Sequence, residues 1–159
     1  MKYRNNGAIG ALLDEYEKAL KELHELLNTV SQQELTAIVD SNTKDPDCHS
    51  IQTILTHVVS SGYGYATTIR NSLGEQNEYI PKKELNTTAA YQKALQAMFA
   101  YNEKLFEDYP NIKMNENDTT KKILVSWGQR FDVDQLVEHA IVHILRHRRQ
   151  IERFLQKLR

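Results

Sequence analysis

The sequence predicts an all-α protein, a four-helix bundle with long connections between its helices. Four segments of roughly twenty residues carry apolar side chains at helical spacing. Only three prolines and six glycines interrupt the chain, which favours long helices over many short strands. A length of 159 residues fits one domain of common size. We therefore expect a single helical domain over residues 1–159.

The first predicted helix extends from about Ile9 to Asn28. Leucine, alanine and tyrosine recur there every three or four residues, with Asp, Glu and Lys between them. Residues 29–49 are more polar and contain a turn signal at residues 45–47 (DPD). We expect this polar stretch to connect the first two helices.

The second predicted helix begins near Ser50, a favourable N-cap, and ends near Leu73, since Gly74 can stop it. Its inner face is expected to carry Ile54, His57, Val58, Ser61, Tyr65 and Thr68. Gly62 and Gly64 weaken a helix. Either they let another helix approach or leave space for a ligand, or they have no special role.

The third predicted helix begins after Thr87 or Thr88 and ends before Pro110, and the fourth extends from Asp132, an N-cap candidate, to Leu158. Apolar stripes in both segments again have helical spacing. These two helices complete the set of four. Because the connections are longer than those of simple bundles, the sequence does not fix an up-down helix order.

Residues 123–127 (ILVSW) are the one strand-like stretch, and residues 115–118 ahead of them have the composition of a turn. This pattern predicts a small hairpin or irregular segment between helices three and four. We expect it to lie over one end of the bundle.

Charge and composition exclude several classes of function. A net charge of −1 gives no global field toward nucleic acid or membranes. The chain has no apolar run of transmembrane length and no apolar secretory signal at its start. It also lacks the HExxH, Gly-x-Ser-x-Gly, P-loop and dinucleotide-binding motifs. Cys48, the single cysteine, excludes an internal disulfide. The expected location is the cytoplasm.

Three histidines recur at four-residue intervals near the C-terminus, at His139, His143 and His147. Residues four apart lie one above the other on a helix, and neutral imidazole is a common ligand of first-row metals. On a helical wheel His147 lies inside the apolar stripe, His143 lies at its edge, and His139 lies outside it. The wheel therefore predicts that His143 and His147 face the bundle centre.

A third ligand has to come from another helix, because two imidazoles rarely complete a transition-metal site. His57 is the best candidate, since it lies among Ile54, Val58 and Tyr65 on an apolar face. A site of His57, His143 and His147 would leave positions for water or substrate, as catalytic zinc sites do. The competing interpretation is that these are hydrogen-bonded core histidines without a metal.

Residues 143–151 (HILRHRRQI) resemble the HxxxH-R-G-Q-I signature of the DinB/YfiT-like superfamily. Residues 50–57 (SIQTILTH) resemble the segment with that family's first histidine, so the likeness covers nearly the whole chain. The resemblance implies a four-helix bundle with a three-histidine metal site. By motif position its ligands are His57, His143 and His147. Arg149 stands where the signature usually has glycine, and its side chain would narrow a dimer contact or the site mouth.

The resemblance also implies a function. Members of the superfamily include thiol S-transferases that use low-molecular-weight thiols such as bacillithiol or mycothiol. The first hypothesis is therefore a metal-dependent enzyme in which the cation stabilises a thiolate. The alternatives are a metal-dependent hydrolase and a non-catalytic metal-binding or stress-associated bundle. Three imidazoles suit zinc or nickel, with iron or copper as further possibilities.

A second apolar side of the fourth helix carries Ile141, Val142 and Leu145. Either the segment 111–131 covers this side or it forms a homodimer interface. We favour the dimer, because the resembling family commonly dimerises. The expected partners are thus a second copy of the chain and a small-molecule substrate.

The sequence supports functional roles for other side chains less strongly. His139 is either a substrate-facing base or a partly exposed polar residue, and Tyr65 either a weak acid or a core residue. Cys48 precedes a helix, where a thiol pKa can fall, but no activating base is evident. A basic cluster at Arg146, Arg148, Arg149 and Arg153 is either a solvated helix end or a site for a substrate carboxylate.

Overall fold

The structure is a computed structural model that describes residues 3–159, so Met1 and Lys2 of the predicted domain lie outside the described residues. Within that range the chain forms five α-helices and one two-stranded hairpin, which confirms the all-α class. The helices are α1 (Gly7–Leu27), α2 (Gln32–Thr36), α3 (Ile51–Ser72), α4 (Thr88–Asp108) and α5 (Val133–Leu158), and the strands are β1 (Ile123–Leu124) and β2 (Arg130–Phe131). None of the described helices has both the length and the apolar character needed to cross a membrane.

The four long helices pack around one apolar core. Helix α1 contacts α4 and α5, and α3 contacts the same two helices. Each long helix therefore has two long neighbours. Leu23, Ile54, Leu95 and Ile151, one from each long helix, are fully buried in the core. The apolar stripes of the sequence thus meet in one place, as their helical spacing predicts.

The ends of the long helices follow local capping chemistry, and each lies within two residues of its predicted position. The Ser50 side chain accepts a hydrogen bond from the Thr53 backbone at the start of α3. Thr87 caps α4 in the same way through the Ala90 backbone. Just beyond the end of α3, Gly74 adopts φ +101°, a conformation that favours glycine.

The short helix α2 interrupts the stretch 29–49, which the sequence had suggested was only a polar connection. Ser31 and Glu34 form a capping box, in which each side chain accepts a hydrogen bond from the other residue's backbone N–H. Leu35 then packs in the core with no exposed surface. The Ser-x-x-Glu spacing was the sequence signal for this helix.

The inner face of α3 is rotated relative to the prediction. Ile54 and Val58 are fully buried, as expected. Four other members of the predicted face are only partly buried and line a cavity beside the core: His57, Ser61, Tyr65 and Thr68. Gly62 is buried instead, and it lies against Met98 of α4.

The predicted hairpin is present between α4 and α5. Its strands are antiparallel, with Ile123 opposite Phe131, and Gly128 in the turn adopts φ +86°. The turn carries Trp127 to the side of α5, where its indole stacks on His139. The hairpin therefore contributes a wall to the region of the histidines.

The second apolar side of α5 is only partly covered. Ile141 packs against the core, whereas Val142 and Leu145 are 60% and 38% exposed. The segment 111–131 therefore does not shield these two side chains. The homodimer interface at this place stays a prediction.

Alanine substitutions at the two glycines of α3 should have opposite effects on the stability of the protein. In Gly62→Ala the new Cβ would lie 2.4 Å from the Met98 sulfur, and Met98 is fully buried. Overpacking costs about 1–3 kcal/mol, which exceeds the gain of at most about 1 kcal/mol in helix propensity. In Gly64→Ala the new Cβ meets no atom of the described residues within 4 Å, so this substitution only gains helix propensity. Urea unfolding should show Gly62→Ala less stable than wild type and Gly64→Ala equally or more stable; the reverse order would contradict this packing.

Candidate metal centre

Three histidine side chains from two helices meet at one point. His57 comes from α3, and His143 and His147 come from successive turns of α5. The Nε2 atom of His143 lies 2.9 Å from Nε2 of His57 and 3.2 Å from Nε2 of His147. One nitrogen from each ring lies within 4.8 Å of the others. The structure therefore brings together the three residues that the sequence predicted as ligands.

These separations fit nitrogens around a common cation. For a metal–nitrogen distance of about 2.1 Å, two ligands lie about 3.0 Å apart at a right angle and about 3.4 Å apart at the tetrahedral angle. The two closest nitrogen pairs, at 2.9 and 3.2 Å, differ from this range by at most a few tenths of an ångström. The third pair, between His57 and His147, lies within 4.8 Å, so these two nitrogens would have to move a few tenths of an ångström closer to hold one ion together with His143.

Contacts on the outer side of two rings favour a proton on Nδ1, through a hydrogen bond at His147 and a weaker electrostatic contact at His57. His147 Nδ1 lies 3.0 Å from the Gln150 side-chain oxygen, which only accepts, so Nδ1 donates and Nε2 keeps its lone pair. His57 Nδ1 lies 2.9 Å from Asp47 Oδ2, although its N–H is poorly aligned with that oxygen. Lys82 holds the same Asp47 carboxylate. Such outer partners are what metal-binding histidines usually have.

Burial keeps the three imidazoles uncharged at neutral pH. Loss of hydration, together with the neighbouring histidines, lowers the pKa of His143 to about 2. Loss of hydration also lowers the pKa of His147 to about 4 and lowers that of His57. A neutral ring is the form that binds a metal. The cluster is therefore in its ligating state without a change of pH.

A metal-free cluster of hydrogen-bonded histidines satisfies the inward lone pairs of these nitrogens less well than a bound cation would. If His57 and His147 both present lone pairs, only His143 can supply an N–H toward the centre. That single donor can make one good hydrogen bond, and the second inward lone pair then needs a donor from outside the cluster. A buried acceptor without a partner is costly. A cation at the centre would engage all three lone pairs.

A cavity of about 410 Å³ opens against His57 and His143. Its lining mixes small polar residues with the rings of Tyr65, Tyr79 and Trp127, and the Trp127 and His139 rings stack with centroids 5.8 Å apart. Among residues 3–159, no Asp or Glu side chain lines this cavity. A ligand could thus reach the histidine cluster from this side without meeting a carboxylate.

His139 and Tyr65 belong to the cavity wall. The His139 ring centroid is 6.5 Å from that of His143, and His139 is outside the three-nitrogen cluster. Tyr65 lies edge-on to both His139 and His143. Burial raises the pKa of Tyr65 to about 12, so its hydroxyl stays protonated at neutral pH. Both side chains are placed to face a ligand, and their catalytic roles stay predictions.

Sequence reasoning missed three residues of this site. Gln150 lies three residues after His147 on the same helix, so helical spacing could have identified it. Asp47 lies in a 3-10 turn before α3, and Trp127 lies in the hairpin turn. Those two reach the histidines through loop geometry, for which helical periodicity gives no signal.

A search against protein families matched the DinB family over residues 1–158, nearly the whole chain. Searches of curated proteins and of solved structures found no match. The matched range contains all three clustered histidines and all five helices. Together with the geometry of the cluster, this match shows that the chain belongs to the DinB family.

Proposed function

We propose that the protein is a metal-dependent DinB-type four-helix bundle that holds a divalent cation with His57, His143 and His147. The convergence of three Nε2 atoms on one point carries this proposal. Zinc and nickel are the preferred ions for three neutral imidazoles, and iron and copper are also compatible. The closed ring of contacts among the four long helices supports the bundle.

We infer that the activity is transfer of a low-molecular-weight thiol to an electrophile. Membership in the DinB family supports this inference. The cavity supports it as well, because its described lining offers no carboxylate to serve as the general base that many metal-dependent hydrolases use. Hydrolysis would have only His139 and Tyr65 among the described lining residues to assist a metal-bound water, so we favour thiol transfer.

A divalent cation in this site would supply the positive charge that keeps a thiol deprotonated near neutral pH. The chain's own residues would provide the surroundings. His57 and His143 form one wall of the cavity, and Trp127 and Leu124 give its outer part an apolar surface for an electrophile. In the overall transfer the thiol loses a proton to solvent and its sulfur bonds to the electrophilic carbon. The leaving group departs with the electrons of the broken bond.

The site is built within one chain, so homodimer formation is not needed to complete it. The homodimer and the cytoplasmic location stay predictions.

Each of the substitutions His57→Ala, His143→Ala and His147→Ala should abolish stoichiometric metal binding, because each removes one of the three nitrogen ligands. His139→Ala is the matched control and should retain the metal, since its ring lies outside the cluster. Native mass spectrometry and metal analysis after purification with zinc or nickel would measure this. Loss of metal in His139→Ala, with retention in His57→Ala, would refute the ligand assignment.

The outer partners should tune affinity without being essential. Asp47→Asn and Gln150→Ala should each weaken metal binding by about 10–100-fold, because they no longer orient the His57 and His147 rings. Competition with a chromophoric chelator would measure the affinity. Glu138→Gln removes an exposed carboxylate of α5 and should have little effect. An equal effect of Glu138→Gln would mean that net charge, rather than ring orientation, sets the affinity.

The metal-loaded protein should accelerate thioether formation between a small thiol and monochlorobimane, and His143→Ala should reduce the rate to background. Bacillithiol, mycothiol and cysteine would be tested in parallel, with product measured by fluorescence. Stoichiometric metal without any acceleration would reject the transferase proposal. That result would leave the metal-binding proposal intact.

A further inference from the structure

A second concave site lies beside the C-terminal half of α5. It is a groove of about 310 Å³, and four cationic side chains line it: Arg146, Arg149, Arg153 and Lys157. These four residues and their concave surface are called the basic groove. Cys48 and the buried Phe154 also line it.

The cations of the basic groove have no anionic partners within the described residues 3–159. Arg148, on the same helix, shows the contrast, because it pairs with both Glu22 and Glu152. Among the described residues that line the groove, Asp40 is the one carboxylate, and it accepts hydrogen bonds from the Asn42 and Thr43 backbones. The groove therefore combines four unpaired positive charges with one negative charge.

The spacing of these four exposed cations on α5 is mildly unfavourable, and a bound anion would relieve it. Arg146, Arg149, Arg153 and Lys157 follow one another at spacings of three and four residues, at which like charges repel. The dipole of α5 favours cations only in its last turn. Arg146, Arg149 and Arg153 precede that turn. The dipole therefore explains Lys157 but not the three arginines.

We propose that the basic groove binds a small molecule with at least two negative charges, carried by carboxylate or phosphate groups. Guanidinium groups bind both through paired N–H donors. The groove volume matches a small-molecule site. The net charge of −1 gives the protein no general attraction to nucleic acid or anionic membranes, so the positive field is local.

The groove adjoins the histidine cluster without sharing its cavity. Gln150 lines the groove and also accepts a hydrogen bond from His147 Nδ1. Within the described part of the chain, no residue lines both the groove and the cavity against His57. An anion in the groove therefore lies one side chain away from the histidines and does not compete with a ligand in the cavity.

Cys48 is a reporter of the groove. Burial raises the pKa of its thiol, which donates to Asp45 and lies 3.8 Å from the Gln150 side-chain oxygen. It is therefore held in the protonated form, contrary to the reactive role that a helix start suggests. Because it is the single cysteine of the chain, alkylation by a neutral reagent reports on this place alone.

Calorimetric titration of the full chain at fixed ionic strength tests the proposal, with citrate and inorganic pyrophosphate as probes and acetate as the monovalent comparison. Citrate or pyrophosphate should bind saturably and more tightly than acetate, and the tighter of the two identifies carboxylate or phosphate as the preferred group. Arg149→Gln and Arg153→Gln should each weaken binding by about tenfold or more, since each removes a charge-assisted contact.

Arg148→Gln is the matched control, because it makes the same change in net charge on the same helix but outside the groove. It should change affinity by less than about twofold, since only local charge matters here. Equal weakening by Arg148→Gln and Arg149→Gln would overturn the proposal. So would the absence of saturable binding for both probes at millimolar concentration.

Protection of Cys48 from alkylation shows where the anion binds, because the same folded protein is compared with and without the anion. Saturating citrate or pyrophosphate should slow alkylation of Cys48 by iodoacetamide in the wild type and not in Arg149→Gln. Unchanged alkylation at saturation would show that the anion binds elsewhere. The titration is repeated with His57→Ala, which should still bind the probe, so failure of the metal proposal and failure of this one are distinguishable.

Discussion

The convergence of three uncharged imidazole nitrogens is the constraint on which the rest of the structure depends. Three rings can approach to 2.9 and 3.2 Å only while they are neutral, because protonated rings would repel one another. Burial between α3 and α5 keeps them neutral. The outer contacts to Asp47 and Gln150 then turn lone pairs toward the centre. Two packed helices, a 3-10 turn and Gln150 therefore all help to place the three nitrogens at the centre of the cluster.

Local chemistry explains how much of this arrangement the sequence could predict. The pairing of His143 with His147 follows from helical periodicity, and the position of His57 follows from its apolar neighbours. The face of α3 was predicted with a rotational error, because polar residues that line a cavity lie next to the residues that form the core. His57, Ser61 and Tyr65 are of this kind. A single helical wheel does not distinguish a cavity wall from a core face.

The remaining parts depend on contacts between segments distant in the chain. Asp47 lies next to the histidines because of the 3-10 turn before α3, and Trp127 does so because of the hairpin between α4 and α5. Helical spacing does not predict the course of either loop. Helix α5 combines several roles around its circumference. Its apolar stripe joins the core, His143 and His147 complete the cluster, and Arg146, Arg149 and Arg153 line the basic groove. The cavity is therefore lined by His57 and His143, whereas the groove is connected to His147 through Gln150.

The most direct measurement of the central claim is anomalous diffraction from crystals grown with zinc or nickel, recorded at the absorption edge of that metal. The account predicts one peak about 2.0–2.1 Å from the Nε2 atoms of His57, His143 and His147. Rings that point apart, or a histidine cluster without anomalous density at saturating metal, would contradict it.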